Sequence, residues 1–303
     1  MDIGVIGVGA MGRNHARNYA ELKKADALYV TDLNIKAAEE VARANGGEVC
    51  TSIDDLLHRV DAVSICVPTQ FHHEVAKTVF AAGVHALIEK PLCSTAAQAQ
   101  DLLSLIPAGL IVGVGHIERF NPIVDEIRHI IKKPLYVETK RHNPASSRIT
   151  GTSVVEDLMI HDIDIIFSLF GRDTCQIHSC GTGDVCGALC TMNGTTVYMS
   201  ASRKSSKKIR SIYIEEEDCT IEGDYMNQEI NVYRKPGQYT MRDHRYVQEN
   251  IIEKVLVNKQ EPLKRELSAF LSCVAEDKPF PVSPEQALFN LQVAEKIMQN
   301  VTV

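Results

Sequence analysis

The sequence predicts an α/β chain in two parts. A doubly wound parallel sheet is expected over residues 1–117, and an α+β part with a large open, mainly antiparallel sheet over residues 118–303. Three observations carry this. Strand-like and helical stretches alternate as far as about His116; from Glu118 strand-like runs follow one another with only turn signals between them; and Gly7-Val8-Gly9-Ala10-Met11-Gly12 joins the first strand to the first helix. Alternation implies parallel strands, because each needs a crossover connection that covers one face of the sheet, whereas consecutive strands with short turns pair antiparallel.

The apolar run Ile3 to Val8 reads as a buried strand and Asn14 to Lys24 as a helix. Gly7 permits the tight turn, Gly9 lets a pyrophosphate approach the backbone through Ala10 and Met11, and Gly12 lets helix pack close on strand. The next strand, Leu28 to Asp32, ends in a carboxylate twenty residues after Gly12, where it can accept hydrogen bonds from an adenosine ribose. The glycine motif alone is weak. Set between strand and helix, with an acidic strand end at the right distance, it describes a Rossmann-type dinucleotide site better than it does a simple tight turn. Asp32 favours NAD, since its charge repels a 2′-phosphate, and Asn34 and Lys36 leave NADP possible. Strands at Ala62 to Val67, Ala86 to Glu89 and Leu110 to Gly115 complete this half.

In the second part, helices at Asn121 to Lys132 and Ser153 to Phe170 flank a strand at Leu135 to Arg141. Strand-like runs follow at Cys175 to Cys180, Val185 to Met192, Thr196 to Ser202, Ile209 to Glu215, Cys219 to Ile221 and Glu229 to Tyr233. Two last helices, Pro262 to Asp277 and Pro284 to Asn300, each carry proline near the start, as helix N-termini favour. The boundary near Gly115 to Arg119 is expected to form a hinge or cleft.

Composition narrows the function. A chain that is 45% apolar and 23% charged is globular, and a net charge of −7 disfavours a nucleic-acid partner. Arg203, Lys204, Lys207, Lys208 and Arg210 form a local basic cluster that reads as a solvated loop between strands. No apolar run approaches the ~20 residues that span a bilayer, and the opening strand leaves no room for a signal peptide, so a cytoplasmic protein with no membrane partner is expected. Nine cysteines, several inside strands, argue against a disulfide framework. Cys175, Cys180, Cys186 and Cys190 with His178 invite a metal reading, but they contain no CxxC pair and strand alternation scatters them over both faces, so core filling is expected and no metal.

Two constellations could carry chemistry. Glu89-Lys90-Pro91 closes a strand and places Lys90 at a carboxyl end of the sheet, the edge at which open α/β folds bind ligands; Pro91 restricts Lys90 to an extended backbone. A lysine there is ordinarily just a solvated charge. The helix from Ser153 opens with a capping box, Ser153 and Glu156, and stops at Gly171. At ~100° per residue, Asp157, His161, Asp164 and Ser168 form a stripe roughly 60° wide on an otherwise apolar helix. That stripe faces either a strip of solvent or a polar pocket in which His161 could take a proton.

Taken together, the glycine loop, Asp32, Glu89-Lys90-Pro91 and Asp157-x-x-x-His161 resemble the Gfo/Idh/MocA family, in order and across the whole chain. The resemblance implies an NAD(P)-dependent oxidoreductase that transfers a hydride between nicotinamide and a secondary hydroxyl of a sugar or sugar nucleotide. It implies Lys90, Asp157 and His161 as catalytic and substrate-binding residues. Cys66-Val67-Pro68-Thr69 and the following His72 are similar to the family's loop against the cofactor, as is Glu89 beside Lys90. Residues 115–122 and 160–165 resemble members acting on nucleotide-linked amino sugars, with the C3 hydroxyl of UDP-N-acetylglucosamine the best guess and inositols or free sugars the alternative. Arg119, Asn121, Arg141 and Arg148 are candidate substrate contacts, arginine suiting phosphate. The family's open sheet commonly pairs subunits, which implies a homodimer or homotetramer. Many members carry several glycines before the aspartate, whereas here Gly151 is followed by Thr152, Ser153, Val154, Val155 and Glu156. A cofactor-sensing regulator without turnover is the rival from another class.

Overall fold

The structure is a computed structural model that describes residues 1–144, 152–172, 176–235, 237, 240–243, 245–248 and 250–302. The chain divides into two units, one made of Met1–Phe120 with Glu261–Gln292, the other of Asn121–Gln260 with Val293–Val303. The sequence pattern suggests one boundary at 117/118 and keeps everything after it together.

The first unit alternates as expected: β1 (Asp2–Ile6), α1 (Ala10–Glu21), β2 (Ala27–Thr31), α2 (Ile35–Asn45), β3 (Glu48–Val49), α3 (Ile53–Leu57), β4 (Ala62–Ile65), α4 (His72–Ala81), β5 (His85–Glu89), α5 (Ala96–Ser104) and β6 (Val112–Gly115). All strands run parallel in the order β3-β2-β1-β4-β5-β6, so connections leave β1 in opposite directions and a crevice opens beyond the carboxyl ends of β1 and β4. Ile3, Val5, Val30, Val63, Ile65, Leu87 and Ile88 are completely buried, which explains why these strands read as continuous apolar runs instead of alternating. The two-residue β3 is invisible to sequence pattern; Glu48 is exposed and the segment is too short for a period to show.

The second unit contains α6 (Pro122–Ile130), β7 (Tyr136–His142), α7 (Ile160–Phe170), β8 (Ile177–Thr182), β9 (Val185–Met192), β10 (Thr195–Ser202), β11 (Ile209–Glu215), β12 (Cys219–Asp224), β13 (Glu229–Arg234), β14 (Thr240–Arg242), β15 (Arg245–Val247) and β16 (Ile252–Val255). After them come α8 (Pro262–Glu276), which belongs to the first unit and packs there against α1, then α9 (Pro284–Met298) and β17 (Val301–Thr302). Nine strands form one mixed sheet in the order β16-β13-β12-β11-β7-β10-β9-β8-β17, in which only β7 with β10 and β8 with β17 pair parallel. No described helix is long and apolar enough to cross a membrane.

Alternation governs this sheet. Val137, Thr139 and Arg141 of β7 point to the buried face, with Val197, Met199 and Ala201 of β10 beside them, and Tyr136, Tyr198, Tyr213 and Tyr233 lie half-exposed on the other face. The same rule separates the cysteines: Cys186 and Cys190 are buried, Cys180 is exposed, and Cys175 lies outside the described residues.

Arg141 is 1% exposed, as is its partner Asp162 on α7. Nε and Nη2 of the guanidinium donate to Oδ2 and Oδ1 at 3.1 and 2.8 Å, and its carbon lies 5.5 Å from the centre of the Tyr225 ring. Removing one partner of such a pair leaves the other charge buried and uncompensated. Asp162→Ala is therefore expected to destabilise the second unit by about 3–5 kcal/mol, read as a lower urea midpoint; an unchanged midpoint would show that the pair contributes nothing.

Candidate active site

In the first unit, Ile6 ends β1 and the chain turns at Gly7, whose φ of +87° is the left-handed region that favours glycine. Gly7 N–H donates to Thr31 O at 2.8 Å and Val8 N–H to Asp32 Oδ2 at 2.7 Å, so the end of β2 fixes the loop. Asp32 Oδ1 also accepts from Asn34 N–H at 2.8 Å. The two remaining glycines are constrained in opposite ways. A Cβ on Gly12 would lie 1.9 Å from Gly7 O, whereas one on Gly9 would meet nothing within 4 Å. Gly12 is thus needed for packing, and Gly9 for keeping open the space in front of it. Gly9 also starts α1 with no side chain capping the helix, so first-turn N–H groups face that open space. An open glycine cradle beneath an uncapped helix N-terminus fits the pyrophosphate of a dinucleotide.

The loop after β4 runs against this turn, since a Cβ on Gly7 would sit 2.8 Å from Val67 N and 3.0 Å from the Cys66 carbonyl carbon. Val67 and Thr69 are half-buried and Pro68 and Phe71 exposed, which leaves the loop accessible to a ligand, while burial pushes the Cys66 thiol well above its usual value. Leu33, next to Asp32, is 105% exposed, an apolar side chain open to a ligand. Sequence reasoning misses it, because one leucine in a loop carries no pattern.

Lys90 follows β5 and is half-buried. Its neighbours are held from behind. Glu89 is 6% exposed; its Oε1 lies 2.9 Å from His15 Nε2 on α1, and its Oε2 accepts the Lys90 N–H at 3.1 Å. Burial works to raise the Glu89 carboxyl, but the hydrogen bond and charge of His15 and the charge of Lys90 outweigh it and hold it below its ordinary value. His15 Nδ1 lies 2.9 Å from Ser64 Oγ, which Tyr19 OH also reaches at 2.8 Å, and Glu266 of α8 stands in the same buried cluster. Pro91 O faces His72 Nδ1 at 2.9 Å, and His72 Nε2 faces Val67 O at 2.9 Å. Burial lowers the His72 imidazole, against the backbone of Pro91, Val67 and Leu92 and the Glu89 charge, which favour its second proton. Glu89 and His72 are expected on the cofactor from sequence. The structure buries both, at 6% and 1% exposure, and their hydrogen bonds hold the turns that carry Lys90 and Val67.

In the second unit, the expected capping box is present: Ser153 N–H donates to Glu156 Oε2 at 2.9 Å, and Glu156 N–H to Ser153 Oγ at 3.2 Å. Beyond the box the backbone departs from a regular α-helix. Val155–Met159 is a π-turn leading into α7, a wider turn that a stripe drawn at 100° per residue does not anticipate and that recurs at functional sites. The turn carries Asp157, and His161 lies on the next turn; both are half-buried. The stripe is not uniformly open, for Asp164 is 1% exposed and Ser168 Oγ donates to Ile165 O at 2.9 Å.

Arg203, expected in a solvated cluster, is 8% exposed; its Nη2 donates to Gly183 O at 2.9 Å and to Thr152 O. Val154 N–H meets the same Gly183 O at 2.8 Å, so Arg203 pins the entry to the π-turn. Lys204, Lys207 and Lys208 are exposed, as expected of a loop.

The four candidate substrate contacts fare differently. Arg119 is half-buried in a short 3₁₀ turn at Ile117–Phe120. Asn121 is 2% exposed and caps α6, its Oδ1 accepting from Ile123 N–H and its Nδ2 donating to Tyr225 O at 3.0 Å. Arg141 is buried against Asp162. Arg148 lies outside the described residues. Asn121 and Arg141 are thus both buried, and alternation along β7 from Val137 already places Arg141 inward.

Residues 1–118 match the model of the Gfo/Idh/MocA oxidoreductase family with its NAD-binding Rossmann fold. The chain is 33% identical over 293 residues, 92% of its length and 90% of the relative's, to UDP-N-acetylglucosamine 3-dehydrogenase of Acidithiobacillus ferrooxidans. A solved structure of that enzyme superimposes with a TM-score of 0.89 at 31% identity, covering 99% of this chain and 97% of the other. An inositol 2-dehydrogenase of Paracoccus denitrificans is 30% identical over 57% of this chain and 55% of its own. Levoglucosan dehydrogenase in complex with NADH and levoglucosan shares the fold, with a TM-score of 0.83 at 18% identity over 99% of this chain and 96% of its own.

The two glycines separate folding from binding. Gly9→Ala is expected to melt like the wild type and to lose at least about tenfold in NAD affinity, about 1.4 kcal/mol, whereas Gly12→Ala should lower the melting temperature. Calorimetric titration and thermal melting test the pair; an NAD affinity unchanged in Gly9→Ala would remove the cradle.

Proposed function

Because the chain belongs to the Gfo/Idh/MocA family of oxidoreductases, we propose that it oxidises the C3 hydroxyl of UDP-N-acetylglucosamine with NAD as acceptor. The observation that carries the substrate is the similarity to the Acidithiobacillus enzyme over 92% of this chain. NAD, when bound, accepts the hydride at nicotinamide C4. The Gly9 cradle would hold its pyrophosphate and Asp32 its ribose, with Leu33 beside the base and the loop Cys66 to Thr69 lining the site.

His161 takes the hydroxyl proton as general base, and Lys90 donates a hydrogen bond to the same oxygen and stabilises the charge that develops there. Asp157, one turn before His161, orients the imidazole or the substrate. The carbon loses a hydride and the oxygen a proton, so the product is a ketone. Arg119 is the candidate for the diphosphate, and Arg148 remains a candidate. The π-turn gives Asp157 and His161 a spacing that a regular helix lacks, which supports a functional reading of the stripe.

The half-exposed tyrosine face of the nine-stranded sheet supports a homodimer or homotetramer through that sheet. Free thiols at all eight described cysteines suit a cytoplasmic enzyme.

Purified protein mixed with NAD is expected to form reduced nicotinamide with UDP-N-acetylglucosamine and not with inositols or free hexoses. Turnover of an inositol alone would move the substrate assignment, and NAD binding without turnover of any of them would favour a regulator. Lys90→Met is expected to lower kcat by at least about 100-fold with NAD affinity within about threefold of wild type; a wild-type rate in that variant would remove Lys90 from the chemistry.

A further inference from the structure

Two buried histidines approach the Lys90 turn from different elements. His15, on α1, is completely buried and reaches Glu89, the residue before Lys90. His72, at the start of α4, is 1% exposed and reaches the carbonyl of Pro91, the residue after it. Each ring has a second anchor. His15 Nδ1 meets Ser64 near the end of β4, and His72 Nε2 meets Val67 in the loop beyond β4. Glu89 closes the chain of contacts by accepting the backbone N–H of Lys90 itself.

We infer that His15 and His72 are positioning residues for Lys90, forming a brace that fixes the lysine between the helix under the cofactor cradle and the loop after β4. This rests on the reading of Lys90 as the group that binds the reacting oxygen. Neither histidine reaches solvent, so neither touches substrate; each acts through a neighbour of the lysine.

The geometry explains why imidazoles occupy both places. A flat ring with nitrogens on opposite edges spans two separate anchors, and it does so at 2.9 Å on every side. At His72 both anchors are carbonyl oxygens, which only accept, so both bonds form fully when the ring carries its second proton. Glu89 is the charged group that faces it, and burial opposes protonation. Around His15 stand the carboxylates of Glu89 and Glu266 and the hydroxyls of Ser64 and Tyr19. The brace also joins two functions. His15 lies on the same helix whose first turn faces the cradle, so one helix carries both the cradle and a contact to Glu89.

The test compares His15→Gln and His72→Gln with Lys90→Met and with His58→Gln, an exposed histidine in the first unit that serves as control. Three quantities are read: kcat with UDP-N-acetylglucosamine, NAD affinity by calorimetry, and amide exchange across residues 86–95. Both brace variants are expected to lose about 10- to 100-fold in kcat, the scale of a small misplacement of a catalytic group, with NAD affinity within about threefold. Exchange at Lys90, Leu92 and Cys93 should rise about tenfold while the rest of the sheet stays protected. The fall of kcat that protonation of His161 sets is common to wild type and variant, so the ratio of kcat in His72→Gln to that of wild type should fall as pH drops below 6.5, where the wild-type ring gains its second proton and both its bonds, a change that loss of stability alone does not produce. An inactive Lys90→Met alongside wild-type kcat and unchanged exchange in both brace variants would overturn the brace. Full activity in Lys90→Met would overturn the function assigned to the lysine instead. If the wild type turns over none of the substrates, the exchange arm decides alone: faster exchange confined to residues 89–93 supports the brace, and unchanged exchange overturns it.

Discussion

The contact on which the first unit depends is the approach of Gly12 to the carbonyl of Gly7, so close that a single added carbon would stand 1.9 Å from that oxygen. It brings α1 down onto the end of the sheet and sets the position of every later turn of the helix. The first turn meets the open space at Gly9. One turn further His15 reaches Ser64 and Glu89, and one more brings Tyr19 to Ser64. A phosphate cradle, a hydrogen-bond partner for a buried carboxylate and a bond to the neighbouring strand are thus three readings of one packing distance.

Glu89 illustrates how buried polarity is managed here. A carboxylate at 6% exposure would be costly alone. It is tolerated because it accepts from an imidazole and from the next residue's own N–H, and those bonds keep it ionised. Arg141 and Asp162 solve the same problem in the second unit by a bidentate pair under an aromatic ring. In both, the charged groups are fixed relative to residues of the proposed chemistry: Glu89 beside Lys90, and Asp162 next to His161 in sequence.

The order of strands and helices is legible because it rests on periodicity, which each segment carries within itself. Ile3 to Val8 and Val185 to Met192 announce their burial pattern without reference to any other residue. The capping box at Ser153 and Glu156 is legible for the same reason. Tertiary partners are not. Asp162 interrupts an apolar run without explanation until Arg141 is found opposite it, and Arg203 looks like one more surface charge until Thr152 and Gly183 present their carbonyls. The π-turn is hidden because it is a property of backbone hydrogen bonding and not of residue type. His72 stands out in sequence but with the wrong neighbours: a motif marks that a position matters without saying whether the side chain faces the ligand or the scaffold.

Glu266 comes from α8, so the buried cluster at the start of the chain receives one of its members from near the end. β17, at residues 301–302, likewise supplies the last strand of a sheet that begins with β7. During synthesis, therefore, the first unit cannot reach its final packing before α8 has left the ribosome, nor the second before β17 has.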